Sequence, residues 1–422
     1  MAAPRILFIG VNYAPEPTGI GPYTTGMAEG LAARGWDVRV LTSFPHYPWW
    51  EVPPEHATLP ARSRDAGVEV HRLHHYIPRE HKMATRAAHE ISFGKRAVAT
   101  RWGRPDAVVL VSPALLAARM CAAKARLSGI PVVTWVQDIY TLGVSEAGSG
   151  AGAGAGAKVI ARCESGLANI SERVVVIHDR FRRQFTERLG VRRPVDVVRN
   201  WSHVPDLRGR RDSAVRHRLG WADDDVVVLH AGAMGAKQGL ESVVHASQLA
   251  AARGSNVRFV LLGDGNRRAE LEAMGANPRL QFIDPLGDDD FHAALGAADM
   301  LLINERPGLT EMSVPSKMTT YFATGLPVLA AVDQSSTTFD EMQAAGAGVC
   351  VPPAEPALLL EAAERLAADP ARARALGARG PAYRERLLSA RSALDGFEVM
   401  LGQTLHQPVR APHPTTTTAR WA

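Results

Sequence analysis

The residues able to do chemistry gather where apolar runs give way to glycine and a charged or polar side chain. The densest stretch is Asn304–Ala330, NERPGLTEMSVPSKMTTYFATGLPVLA. Its middle predicts a short helix over Lys317–Ala323, capped by Ser316 and ended by a left-handed Gly325. A hydroxyl, a lysine and free backbone N–H groups at one helix start suit an anion such as a diphosphate. The same pair also fits a capped helix carrying a solvated lysine. AGAMGAKQGLESVVHA sets Lys237 in a glycine-rich turn before a helix, and LLGDGNRRAELE sets Gly263, Asp264, Gly265 and Asn266 in another. Gly19 and Gly21 lie in the loop EPTGIGPY, Asp138 ends an apolar run, and His46 sits in SFPHYPWW. Each signal alone is what any strand-to-helix turn uses, but their convergence with two lysines points to a phosphate-bearing ligand.

These turns need strands to hold them. Arg5–Val11, a Pro- and Gly-rich loop, a helix opened by Pro22 and stopped at Gly35, and Asp37–Thr42 predict a βαβ unit. Apolar runs continue at Val68–Leu73, Ala107–Ser112, Pro131–Asp138, Arg173–His178 and Val195–Asn200. After an Arg-rich connector come Val226–Gly232, Val257–Gly263, Leu280–Asp284, Met300–Asn304, Pro327–Val332 and Gly348–Val351. Helical patterns between them predict two doubly wound, Rossmann-like parallel α/β domains, with carboxyl strand edges facing a central cleft. The expected boundaries are 1–205 and 206–390, then a C-terminal helix at 391–405 and a disordered tail at 406–422. The run GSGAGAGAGA at Gly148–Ala157 is expected to be a mobile loop, either a lid or a tolerated insertion.

At 422 residues the chain is too long for one ordinary core. Its 46% hydrophobic and 22% charged residues make a soluble balance. Cys121, Cys163 and Cys350 follow neither a zinc nor a disulfide spacing. The start MAAPRILFIGVNYAPE reads as a strand rather than a signal peptide, and no apolar run approaches the roughly 20 residues that span a bilayer. A cytoplasmic location is expected, including the inner face of the cell membrane. The first loop lacks a third glycine and the second strand ends without a carboxylate, which argues against a nicotinamide or flavin site. Asp223–Asp225 and Asp288–Asp290 are explained by turn and cap roles rather than metal binding.

Four segments, NYAPEPTGIGPYT, TWVQDIY, AGAMGAKQGL and VPSKMTTYFATGLPVLA, occur in the order and at the distances of a known group. Over roughly residues 5–400 the chain resembles the retaining GT-B glycosyltransferases of glycosyltransferase family 4, especially the colanic acid and O-antigen group. The resemblance implies a nucleotide diphosphate sugar in the second domain, UDP-sugar before GDP-sugar, an acceptor in the first, and no metal or other cofactor. It sets Lys237, Ser316 and Lys317 against the donor phosphates. Gly263, Asp264, Gly265, Asn266 and the Asp284–Leu286 loop, with Leu286, lie near the nucleotide, and Gly19 and Gly21 close on the sugar phosphate.

The chain departs from that pattern. Ala233 and Met234 stand where many members carry a phosphate-binding arginine. Of the family's two glutamates spaced seven apart, the second corresponds to Thr320. The first corresponds to Glu305 by its surroundings or to Glu311 by its spacing, and Glu311 is preferred because related enzymes run from there into Pro-Ser-Lys. Gln137-Asp138 replaces the usual His-Asp pair, leaving Asp138 as acceptor-side base or orienting group, with strand-end capping as the alternative. Gln137, His46 and Trp49 complete the expected acceptor side.

A basic segment, PREHKMATRAAHEISFGKRAVATRWGRP, and a second at Arg180–Arg199 suit an anionic membrane surface, or are simply solvated helix faces. Nucleic acid is not expected. The resemblance implies a glycan, lipid-linked or small-molecule acceptor, in exopolysaccharide, O-antigen or other surface-glycan synthesis. Competing readings are glycosylation of a small natural product, a nucleotide-sugar 2-epimerase, and a non-catalytic sugar-nucleotide-binding subunit.

Overall fold

Every apolar run named above forms a strand in the computed structural model, which describes all residues except 1–2, 18, 80–82, 141–150, 203, 209–211, 309–315 and 407–422. Two compact units result. One joins Met1–Asn200 to the segment beginning at Ala390; the other is Trp201–Ser389.

The first unit is built on an eight-stranded sheet. Its strands are β1 (Arg5–Ile9), β2 (Asp37–Ser43), β3 (Arg62–Asp65), β4 (Val68–Leu73), β5 (Ala107–Val111), β6 (Val132–Val136), β7 (Arg173–Val176) and β8 (Val195–Val197), in the order β3-β4-β2-β1-β5-β6-β7-β8. All neighbours are parallel except β3, which pairs antiparallel with β4 at the edge. Strands β5 and β6 are buried along their whole length, as parallel strands covered on both faces must be. Strand order reverses between β1 and β5, and the crevice outside such a switch point is where α/β folds bind ligands.

The terminal helix Ala390–Thr404 belongs to this unit. Phe397 stacks on Phe8 and meets Trp135 edge-on, while Arg34 pairs with Asp395 and Glu398 at 2.7 and 2.6 Å.

The run read as a mobile loop is corrected. Residues 151–157 are the first turns of a helix, Ala151–Ile170, while 148–150 lie outside the described residues. Alanine is the best helix former, and the turns downstream are fixed by buried Leu167 and Ala168 and by Glu164, which accepts from the Tyr140 N–H at 2.7 Å. A helix nucleated there propagates back through the alternating glycines.

The second unit carries a six-stranded, wholly parallel sheet: β9 (Val226–Ala231), β10 (Val257–Leu262), β11 (Leu280–Ile283), β12 (Met300–Asn304), β13 (Val328–Ala331) and β14 (Gly348–Val351), ordered β11-β10-β9-β12-β13-β14. Its switch point lies between β9 and β12. Arg216 is buried beneath this sheet, bonding the Ala297 and Asp225 carbonyls at 2.9 and 2.7 Å and Asp299 at 3.0 Å. Asp225 caps Ala222 N–H at 2.9 Å and pairs with Arg258 and Arg279, and Asp288–Asp290 form the first turn of a helix, so both triplets have local structural partners. Among the described residues no helix is long and apolar enough to cross a membrane.

Candidate active site

In the second unit the turns after β9 and β10 are woven together. The Met234 N–H donates to the Asp264 carbonyl at 2.9 Å and the Arg267 N–H to the Met234 carbonyl at 3.0 Å. Contact this close requires glycine: a Cβ on Gly263 would lie 2.2 Å from the Gly232 carbonyl oxygen, and one on Gly265 only 2.4 Å from that of Met234. Gly263 also has φ +132°, a region that L side chains avoid. Asp264 receives the Gly265 N–H at 2.8 Å, and Asp264 and Asn266 are exposed on this turn.

Lys237 rides on the turn Ala236–Gln238, clamped to the end of β12. Asn304 Nδ2 donates to the Gln238 and Gly239 carbonyls at 2.7 and 2.9 Å, and the Arg306 N–H to the Lys237 carbonyl at 2.9 Å. Lys237 is thereby held at the switch point, its side chain exposed.

Lys317 arrives from the helix Ser316–Phe322, in which Ser316 is the first helical residue rather than its cap. Tyr321, one turn on, receives the Ala231 N–H at 2.9 Å and fastens this helix to β9. Gly325 has the expected left-handed φ of +73°. The Lys317 side chain lies across Gly232, its Cε 2.7 Å from where a Cβ would stand, and its Nζ is 3.0 Å from His230 Nε2. Desolvation holds its ammonium down to about 8, so it is charged at neutral pH. Among the described residues no carboxylate pairs with it.

Of the remaining donor-side residues, Thr320 is half-buried on the Lys317 helix, and Leu286 packs partly against the core after β11. Glu305 is buried and accepts from the Thr338 hydroxyl. Glu311 lies outside the described residues.

In the first unit a cavity of about 180 Å³ opens at the β1/β5 switch point, bounded by Asn12, Gly19, His46, Trp50, His89 and Asp138 among others. Asp138 thus stands at a pocket wall, and its carboxyl is raised by desolvation. Gly19 has φ +67°, and Gly21 begins the helix Gly21–Ala33, where a Cβ would approach Glu16. The other acceptor-side expectations fare differently. Gln137 is buried and accepts from Asn200 Nδ2 at 2.8 Å, and Trp49 is 44% exposed against His56. Trp50, beneath the Arg86 guanidinium, is the tryptophan that lines the cavity.

Sequence reasoning missed His75 and His89, which meet His46 from a different loop and helix. Their partners assign the protons. His46 Nδ1–H donates to the Phe44 carbonyl at 3.0 Å, and its Nε2 lies 3.3 Å from His89 Nε2. The Ser43 hydroxyl donates to the same carbonyl at 2.8 Å and therefore accepts from His75 Nε2–H at 2.7 Å. Desolvation, reinforced by the neighbouring histidines, lowers His75 to about 3 and His89 to about 4. The spacing of three histidines at 46, 75 and 89 holds no periodicity that announces the cluster.

A stability consequence follows. Both histidines have native values below their ordinary 6.5, so their contribution is complete above about pH 6.5 and is lost as pH falls toward 4. A His75→Asn/His89→Gln double variant is expected to show a flatter decline of Tm between pH 7 and 4 than the parent protein. Parallel declines would mean that the two rings titrate normally.

Two family models cover most of the chain: "Glycosyl transferase 4-like domain" over residues 18–201 and "Glycosyl transferases group 1" over 225–369. A putative colanic acid biosynthesis glycosyl transferase of Escherichia coli, WcaI, is 31% identical over 334 residues, spanning 76% of this chain and 81% of that protein. Among solved structures, Anabaena HepE in complex with UDP superimposes with a TM-score of 0.68 at 16% identity, covering 94% of this chain and all (100%) of that one. Sucrose-phosphate synthase from Thermosynechococcus elongatus gives 0.66 at 19%, covering 96% and 98%. The two parallel-sheet units therefore form a GT-B fold, and the chain belongs to the glycosyltransferase 4-like, group 1 family of glycosyltransferases.

Proposed function

We propose that the chain transfers a hexosyl group from a nucleotide diphosphate sugar, UDP-sugar first and GDP-sugar next, to an acceptor hydroxyl in surface-polysaccharide synthesis, with retention of anomeric configuration. The observation that carries this reading is the Lys317 Nζ held over Gly232 at the switch point, 3.0 Å from His230 Nε2 and, among the described residues, without a carboxylate partner. The polysaccharide assignment is supported by the colanic acid relative, and the uridine preference by neighbours solved with UDP and with UDP-glucose.

In this mechanism Lys317 and Lys237 stabilise the charge that builds on the departing diphosphate, as preorganised donors do best where no reorganisation is needed. The lysines supply the positive charge, and no metal ion is required. The acceptor enters the first unit's cavity, where Asp138 and the neutral His89 orient its hydroxyl. The hydroxyl attacks on the face from which the diphosphate leaves, and its proton passes to the leaving oxygen. Glu311 holds the donor sugar on the strength of the resemblance alone.

The acceptor is proposed to be a lipid-linked glycan. Exposed Ile91, Lys95 and Arg96 on the helix Met83–Ala99 support peripheral contact with an anionic bilayer at the inner membrane face.

A thermal-shift panel of UDP-, GDP-, dTDP- and ADP-sugars, with and without chelator, tests the donor. One nucleotide family at ~100 times its dissociation constant should stabilise the protein by about 2.7 kcal/mol, unchanged by chelator. No shift with any donor contradicts the reading.

A further inference from the structure

His230 is fully buried near the end of β9, among side chains that are otherwise apolar on the same strand. An imidazole there costs free energy unless both nitrogens are used. Its Nδ1 lies 3.3 Å from the Leu302 carbonyl on β12 and its Nε2 lies 3.0 Å from Lys317 Nζ. Only one tautomer satisfies both contacts. A proton on Nδ1 is donated to Leu302, which leaves the Nε2 lone pair facing the ammonium. The reverse tautomer would point an N–H at the lysine and leave the Leu302 carbonyl facing a bare nitrogen. The Ala233 carbonyl, 3.5 Å from Nε2, is too distant to reverse the choice. Desolvation and the Lys317 charge lower His230 to about 3, so the ring stays neutral whenever the lysine is charged.

The lysine gains a fixed position from this contact. An ammonium on four methylenes otherwise samples many rotamers, and ordering it on ligand binding costs affinity. Here one of its three N–H groups is used by a buried acceptor that adds no negative charge, so the cation stays available to an anion.

We propose that His230 is a positioning residue for donor recognition: its Nε2 lone pair fixes the Lys317 ammonium over Gly232, pre-set for the diphosphate at the β9/β12 switch point. This rests on the reading that Lys317 meets the donor phosphates, and its test separates the two.

Affinity for UDP or GDP, whichever stabilises the parent protein, is measured by calorimetry for His230→Leu, His230→Gln, Lys317→Ala and the double variant His230→Leu/Lys317→Ala. Donor KM and kcat are measured alongside. His230→Leu is expected to weaken nucleotide binding about tenfold, the scale of one hydrogen bond to a charged group. His230→Gln, whose amide oxygen can accept the same bond, should recover most of that loss. The double variant should bind no more weakly than Lys317→Ala, because His230 acts only through that lysine. Should His230→Leu fail to fold, His230→Phe, a ring without a lone pair, replaces it. Parental affinity in the Leu or Phe variant, no recovery by Gln, or additive losses in the double variant would each overturn the proposal. If Lys317→Ala binds as the parent does, or the parent binds neither nucleotide, the donor reading itself fails.

Discussion

Lys317→Ala should lower kcat by about 10²-fold or more, the usual consequence of removing one preorganised donor from a developing charge. The residue stands 3.0 Å from a neutral acceptor and, among the described residues, has no carboxylate partner, so its loss leaves no described buried anion behind. The fold should survive, with the apo protein losing about 1–3 kcal/mol for the buried His230 Nε2 left without its partner. Acceptor KM should stay nearly constant, because the cavity proposed for the acceptor is built from first-unit residues. The pH profile gives a second readout. Lys317 ionises at about 8, so the parent protein should lose donor affinity as pH rises through that value, and Lys317→Ala should lose the dependence. Bound diphosphate favours the charged form, which moves the midpoint upward in the complex. Full turnover in the alanine variant would remove Lys317 from the phosphate site.

The second large effect is on folding. Gly263→Ala forces a Cβ to 2.2 Å from the Gly232 carbonyl oxygen while holding φ at +132°. The clashing atom is backbone, so no rotamer change relieves it. The turn carrying Asp264 and Asn266 must separate from the turn carrying Met234, breaking the 2.9 and 3.0 Å bonds between them. A loss of about 3–5 kcal/mol is expected, combining backbone strain with overpacking. In a unit of this size that is a fall in Tm of roughly 10 °C. Gly287→Ala, where nothing lies within 4 Å and φ is negative, is the control and should be nearly neutral. An unchanged Tm in Gly263→Ala would mean that the two turns do not touch as described.

The strands were readable because a parallel strand covered on both faces must be apolar throughout, and β5, β6 and β12 are buried at every position. Strand β3, RSRD, was not readable: it is a short, mostly exposed edge strand with no apolar face to betray it. The helix through the Gly/Ala run was missed because its support comes from residues well downstream. The ending of the chain on the first unit depends on Phe397 meeting Phe8 and Trp135, a pairing no local pattern encodes.

At the site, lysine and glycine positions were visible as strand-end punctuation. The neutral partners were not. His230 looks like one polar residue in an apolar strand until Lys317, 87 positions away, is folded onto it. The three-histidine cluster joins residues whose only common property is tertiary proximity. Trp49 and Trp50 are adjacent in sequence, and only the local backbone decides which of them faces the cavity.

The most direct test of the account is a crystal structure of the protein soaked with the nucleotide that stabilises it. A diphosphate oxygen should lie about 3 Å from Lys317 Nζ, with the lysine still bonded to His230. Nucleotide bound elsewhere on the chain, with Lys317 engaged only by His230, would contradict it.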